Sequence, residues 1–146
     1  MKRSALLLVL AVACRSVPVS DIGLSGGATP RAAVDRFVAG ARAQDIQAVG
    51  AIFGDDKGPR RDRDPRPTLE RQLLIQLHCL RHEKSNVSGP ARGEGGRQVF
   101  TVDLTQGKLE ASVPFTVVKG PSDRWYVEGF DIVLLQHKGF CDKASG

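Results

Sequence analysis

The sequence predicts an α+β domain, with three N-terminal helices packed on a curved antiparallel sheet of three to four strands. Two observations carry that prediction. Up to about residue 83, apolar residues recur at helical spacing behind capping residues. From about residue 97 the period switches to two, with glycine-containing links short enough for hairpins.

The first helix starts at Thr29-Pro30, a hydroxyl cap followed by a proline at the first helical position. Val34, Phe37, Val38 and Ala41 then form one apolar stripe. Asp45 caps a second, shorter helix carrying Ile46, Val49, Ile52 and Phe53, and Gly54 stops it. Residues 55–67, DDKGPRRDRDPRP, are too rich in proline and charge for an element interior. Arg60, Arg61 and Arg63 could clamp a phosphate or carboxylate, but Asp55, Asp56, Asp62 and Asp64 neutralise them, so the segment reads as a solvated loop. Thr68 caps a third helix whose stripe is Leu69, Leu73, Leu77 and Leu80 and which ends near Glu83.

Residues 84–91 add a short strand before the Gly93–Gly96 turn. Residues 97–105 and 109–118 alternate cleanly, and a last strand runs from about Trp125 to Leu135. The links at Gln106-Gly107 and from Gly120 to Asp123 suit an antiparallel meander. Pro114 removes a ladder donor, so its nitrogen is expected to face an edge or a bulge.

The 146 residues amount to one domain, with 41% hydrophobic and 25% charged residues, ordinary globular values. The formal charge of +5 is spread along the chain among acids, and only 5% of residues are aromatic. A concentrated basic stripe with stacking rings is absent from the sequence, which argues against nucleic-acid binding.

The chain opens MKRSALLLVLAVACRS. Residues 1–13 read as a signal peptide: Lys2 and Arg3, then a short apolar stretch, then Ala11-Val12-Ala13. The apolar stretch falls well short of the ~20 residues that span a bilayer. Two processing routes fit. Cleavage after Ala13 would release a soluble periplasmic or secreted protein. The following Cys14 also resembles the lipidated cysteine of a bacterial lipoprotein signal, although Ala11 stands where that motif carries a larger aliphatic residue. The chain has three cysteines, and lipidation of Cys14 would leave Cys79 and Cys141 as an even pair for a disulfide. Residues 14–28 then form the lipidated cysteine and a flexible tether, and residues 29–146 the domain.

Over roughly residues 29–135 the chain resembles the small NTF2-like (SnoaL-like) domains of bacterial lipoproteins. The resemblance rests on TPRAAVDRFVAGARAQDIQAVGAIFG, the charged loop and third helix, and VPFTVVKGPSDRWYVEGFDI. It implies a cone-shaped α+β fold able to enclose a pocket, often dimerising through its sheet. It does not imply one function, because members include enzymes and binding modules.

HCLRHE, residues 78–83, is the motif most suggestive of chemistry. His78 and His82 stand at metal-ligating spacing, with Glu83 adjacent and His137 the only other histidine. Yet H-E-x-x-H requires glutamate where Cys79 stands, and helical phase places both histidines opposite the leucine stripe. They read as exposed residues at a helix end. For acid–base chemistry the candidates are Asp103, Tyr126, Glu128 and Asp131. Tyr126 and Glu128 share a strand face, and Asp131 has opposite parity unless Gly129 marks a bulge. No phosphate loop or nucleophile elbow is present, and no cofactor is implied.

The expectation is an exported, lipid-anchored envelope protein that binds a small ligand or an envelope partner. Two alternatives stand beside it. One is an isomerase- or cyclase-type enzyme using Asp131 or Asp103 as base; the other is a structural module dimerising through an apolar sheet face.

Overall fold

Thr29 Oγ1 accepts the Ala32 amide at 3.1 Å, and Pro30 opens helix α1, Pro30–Ala43. The computed structural model describes residues 24–142 of the chain. Helix α1 buries Val34, Phe37, Val38 and Ala41, the stripe expected from its period, and Ala33 beside it. Gln44 closes it in the left-handed region, at φ 55°. The Gln44 side-chain amide donates to the Ala41 carbonyl at 2.7 Å and to Leu77 at 2.9 Å, tying α1 to the third helix. Asp45 caps α2, Ile46–Ile52, accepting the Gln47 and Ala48 amides, each at 3.0 Å.

The charged segment is largely solvent-exposed, as the solvated-loop reading expects, but carries short elements of its own. Gly54–Asp55 (β1) pairs antiparallel with Gly58–Pro59 (β2), and Arg60–Asp62 make a 3-10 turn. Its arginines are held locally: Arg60 on Asp64 at 2.6 Å, Arg63 on Asp55 at 2.7 Å. The Arg60 guanidinium also lies 5.3 Å from the Phe53 ring centre.

Helix α3 runs Arg66–Cys79, with Pro65 in the capping position and no side-chain cap. Thr68 therefore lies inside the helix and does not start it. Pro67 tolerates this because a first-turn residue has no intrahelical donor duty. The helix also ends earlier than Glu83: Leu80 caps it, and the Glu83 amide already donates to Thr105 at 2.8 Å, leading into the sheet.

The main sheet has four antiparallel strands in the order β3-β4-β5-β6. These are Lys84–Arg92, Gln98–Gln106, Leu109–Lys119 and Trp125–Phe130. Phe100, Val102 and Leu104 of β4 and Ala111, Val113, Phe115 and Val117 of β5 face the core. The opposite face carries Thr101, Asp103, Ser112 and Pro114, all exposed. Pro114 stands where β6 has just ended, since the last β5–β6 pair is Phe115 with Phe130. The register shifts between Thr116 and Val117, so Glu128 bulges out of the β6 ladder.

The last strand stops at Phe130, five residues short of the expected Leu135. Asp131 instead caps a fourth helix, α4, Ile132–His137, accepting the Leu134 amide at 2.9 Å. Among the described residues the fold is thus α+β with four helices and two antiparallel sheets, the small β1–β2 hairpin separating α2 from α3. The core is filled by rings: Phe37 contacts Phe115 edge-on at 5.8 Å, and Phe115 stacks on Phe130 at 5.2 Å.

Residues 24–28, expected to be tether, belong to the fold. Gly27 exchanges backbone hydrogen bonds with Trp125 at 2.7 and 2.9 Å, and the Gly26 amide donates to Ala51 at 2.8 Å. Arg36 donates to the Leu24 carbonyl at 3.0 Å, and Arg124 donates to Ser25 and Gly26 at 3.0 and 2.7 Å. Among the described residues, no helix is long and apolar enough to cross a membrane.

Candidate functional site

Helix α1 packs its apolar stripe on the sheet and leaves one flank beside strand β3. Between that flank and β3 lies an open cleft of about 570 Å³, bordered by Arg31, Asp35, Arg42, His82, Ser85 and Asn86. Val38 and Val87 contribute its apolar part. Arg31 is ion-paired within the helix, its Nε donating to both Asp35 oxygens at 3.0 and 3.1 Å. Among the described residues, Arg42 has no hydrogen-bond or ion-pair partner.

His82 is only 7% exposed, which overturns its placement on the solvent side of a helix. The helical phase used for that placement stops at Cys79, and the chain turns inward before β3 begins. Nδ1 of His82 lies 2.7 Å from the Leu80 carbonyl and must carry the proton there, leaving Nε2 as an acceptor. Nε2 is buried and has no partner among the described residues. Burial holds this imidazole below its ordinary value near 6.5; the nearby Arg42 charge pushes the same way, and the Leu80 carbonyl opposes both.

His78 belongs to a different neighbourhood. Its Nε2 lies 3.1 Å from the Cys141 carbonyl, and it is half-buried against the C-terminal tail. Cys79 and Cys141 stand at disulfide distance, with an S–S separation of 2.17 Å, so the tail is pinned to the end of α3. The two histidines thus engage different partners. Among the described residues no group of three His, Cys, Asp or Glu side chains could hold a metal.

The acid–base candidates are scattered and engaged. Asp103 is exposed on the sheet face and accepts the Ser112 hydroxyl at 2.6 Å, beside a shallow recess that also borders Glu110 and Lys138. Glu128 takes a bidentate Arg97, with Nη2 at 2.7 Å from Oε1. Asp131 borders the same recess as Glu128 but is occupied as the α4 cap. Tyr126 is 3% exposed, its ring walled in by glycines: a Cβ at Gly26, Gly54 or Gly120 would approach it to 2.9, 2.9 or 2.7 Å. Burial raises the pKa of its hydroxyl. Cys14 lies outside the described residues.

Local pattern reading missed the burial of His82, because a histidine in a charged run such as RHEK reads as surface. It also missed the arginines that grip residues 24–26, since Arg124 reaches across 98 and 99 residues of sequence.

No protein-family model matches this chain, and no curated protein shows significant sequence similarity to it.

Proposed function

We propose that this is an exported, lipid-anchored protein of the bacterial envelope, with an NTF2-like domain that binds a small ligand without transforming it. The signal-like opening and Cys14 support the anchor, and the succession of helices and antiparallel meander supports the family reading. One observation carries the preference for binding over catalysis. Asp103, Glu128 and Asp131 are each held by a structural partner, and the space between α1 and strands β5 and β6 is filled by phenylalanine rings. An acid–base enzyme needs a carboxylate aimed into a protected cavity. The polar outer sheet face lends less support to a module that dimerises through apolar strands.

The test is the native intact mass of protein extracted from membranes without reductant. The expected species starts at Cys14 with acyl chains attached, and a small molecule is retained under gentle ionisation. An unlipidated chain cut after Ala13 would overturn the anchor. A retained metal would overturn the reading of the histidines.

A further inference from the structure

We propose that the cleft between α1 and β3 binds a small organic monoanion of the hydroxycarboxylate class, with Arg42 as its charge partner and His82 as a neutral hydrogen-bond acceptor. This deepens the ligand-binding reading above and rests on it.

The charge class follows from counting what is already satisfied. Two cations and one anion border the cleft, and Arg31 is neutralised by Asp35. Arg42 remains as a single uncompensated guanidinium, whose planar fork matches a carboxylate with two parallel hydrogen bonds. One net positive charge suits one carboxylate better than a dianion or a neutral sugar. The volume of about 570 Å³ lies within the roughly 300–1,000 Å³ of small-molecule sites.

The hydroxyl requirement comes from His82. A buried acceptor with no donor carries a desolvation cost that a hydrogen bond would offset. Its Nδ1 proton is committed to Leu80, so Nε2 can only accept while the ring is neutral. A metal ion is a poor occupant because the Arg42 charge repels it and no second imidazole or thiolate borders the cleft. Nε2 has almost no free surface of its own, so the ligand hydroxyl reaches it only as the side chains between it and the cleft move aside on binding. Ser85 and Asn86 on β3 supply further polar atoms, and Val38 and Val87 an apolar wall for the ligand's carbon skeleton.

The test is an NMR titration of the full mature protein at pH 7.5 and constant ionic strength, with sodium 3-hydroxybutyrate as probe and 3-hydroxybutyramide as its neutral counterpart. The expected result is a saturable shift at the His82 ring nitrogens and the Ala43 and Asn86 amides for the acid. The amide should bind at least tenfold more weakly. Arg42→Gln should weaken the acid at least tenfold, while Arg66→Gln, in the groove between α2 and α3, should leave it unchanged. Equal binding of acid and amide would overturn the anion class while leaving a ligand-binding cleft in place. Saturable shifts mapping elsewhere, or no saturation, would overturn the cleft assignment. Neither result bears on the membrane-extracted mass, which tests the anchor separately.

Discussion

His82 donates its Nδ1 proton to the carbonyl of Leu80, two residues earlier, at 2.7 Å. That bond closes the turn between α3 and β3 and sets the ring inside the protein in its neutral form. Protonating Nε2 would place a charge in a buried site beside Arg42, which is why the folded pKa is depressed.

A pH dependence follows, with a definite sign. The unfolded chain takes up the His82 proton near pH 6.5, whereas the folded protein resists it to lower pH. The stabilisation is therefore complete above about pH 6.5 and is lost as pH falls from there toward the folded pKa. Urea midpoints at pH 7.5 and 5.5 should drop more for the parent than for His82→Gln. His78 and His137 are present in both proteins, so the difference isolates His82. Equal drops would show that the buried ring does not carry this linkage.

The Asp131 carboxylate accepts the Leu134 amide at 2.9 Å, and that structural duty separates it from a catalytic base. Asp131→Ala should cost about 1 kcal/mol, the usual loss for a helix cap. Asp131→Asn should recover most of it, because an amide oxygen caps as well as a carboxylate. Thermal unfolding of the two variants measures the difference. A base would show the reverse pattern, with stability intact and Asn no better than Ala in any assay of turnover.

Cys79 and Cys141 are separated by 62 residues, and closing so long a loop restricts the unfolded chain. On the chain-entropy account the bridge contributes about 4 kcal/mol. The Cys79→Ala/Cys141→Ala double variant should lose a comparable amount in urea unfolding. Reductant should lower the parent's midpoint and leave the variant's unchanged. His78 should respond as well: its ring signals should move in the variant, because Cys141 carries the carbonyl it faces.

Much of the helical half could be read locally because its ends are marked by side chains. Thr29 and Asp45 cap where a hydroxyl and a carboxylate would be expected, and the apolar stripes behind them are buried. The start of α3 was harder, since Pro65 and Pro67 read as breakers although first-turn positions tolerate proline. Helix α4 was hidden inside Ile132-Val133-Leu134-Leu135, whose β-branched residues look like a strand. The decisive local signal was Asp131 following the glycine and bulge that end β6. The candidate cleft was least legible of all. Its walls come from α1 and β3, far apart in sequence, and His82 enters it only because α3 stops at Cys79. No periodicity encodes that juxtaposition.

Two glycines four residues apart should respond to the same substitution with opposite signs. A Cβ at Gly54 would stand 2.4 Å from the Gly58 carbonyl oxygen and 2.9 Å from Tyr126 Cδ1. The first contact is with backbone across the β1–β2 pair, so the hairpin itself would have to shift, and Gly54→Ala should cost about 1–3 kcal/mol. A Cβ at Gly50, inside α2, would meet only Leu73 Cδ1, at an ordinary 3.6 Å. Alanine there adds apolar contact and removes the helix penalty of glycine, so Gly50→Ala should stabilise by up to roughly 1 kcal/mol. Urea midpoints for the two single variants test both signs at once. If Gly54→Ala proved neutral, the hairpin would have to be looser than its fit around Tyr126 implies. If Gly50→Ala destabilised the protein, the space beside Leu73 would have to be needed by something other than helix packing, and the groove it shares with Arg61 and Arg66 would become the place to look.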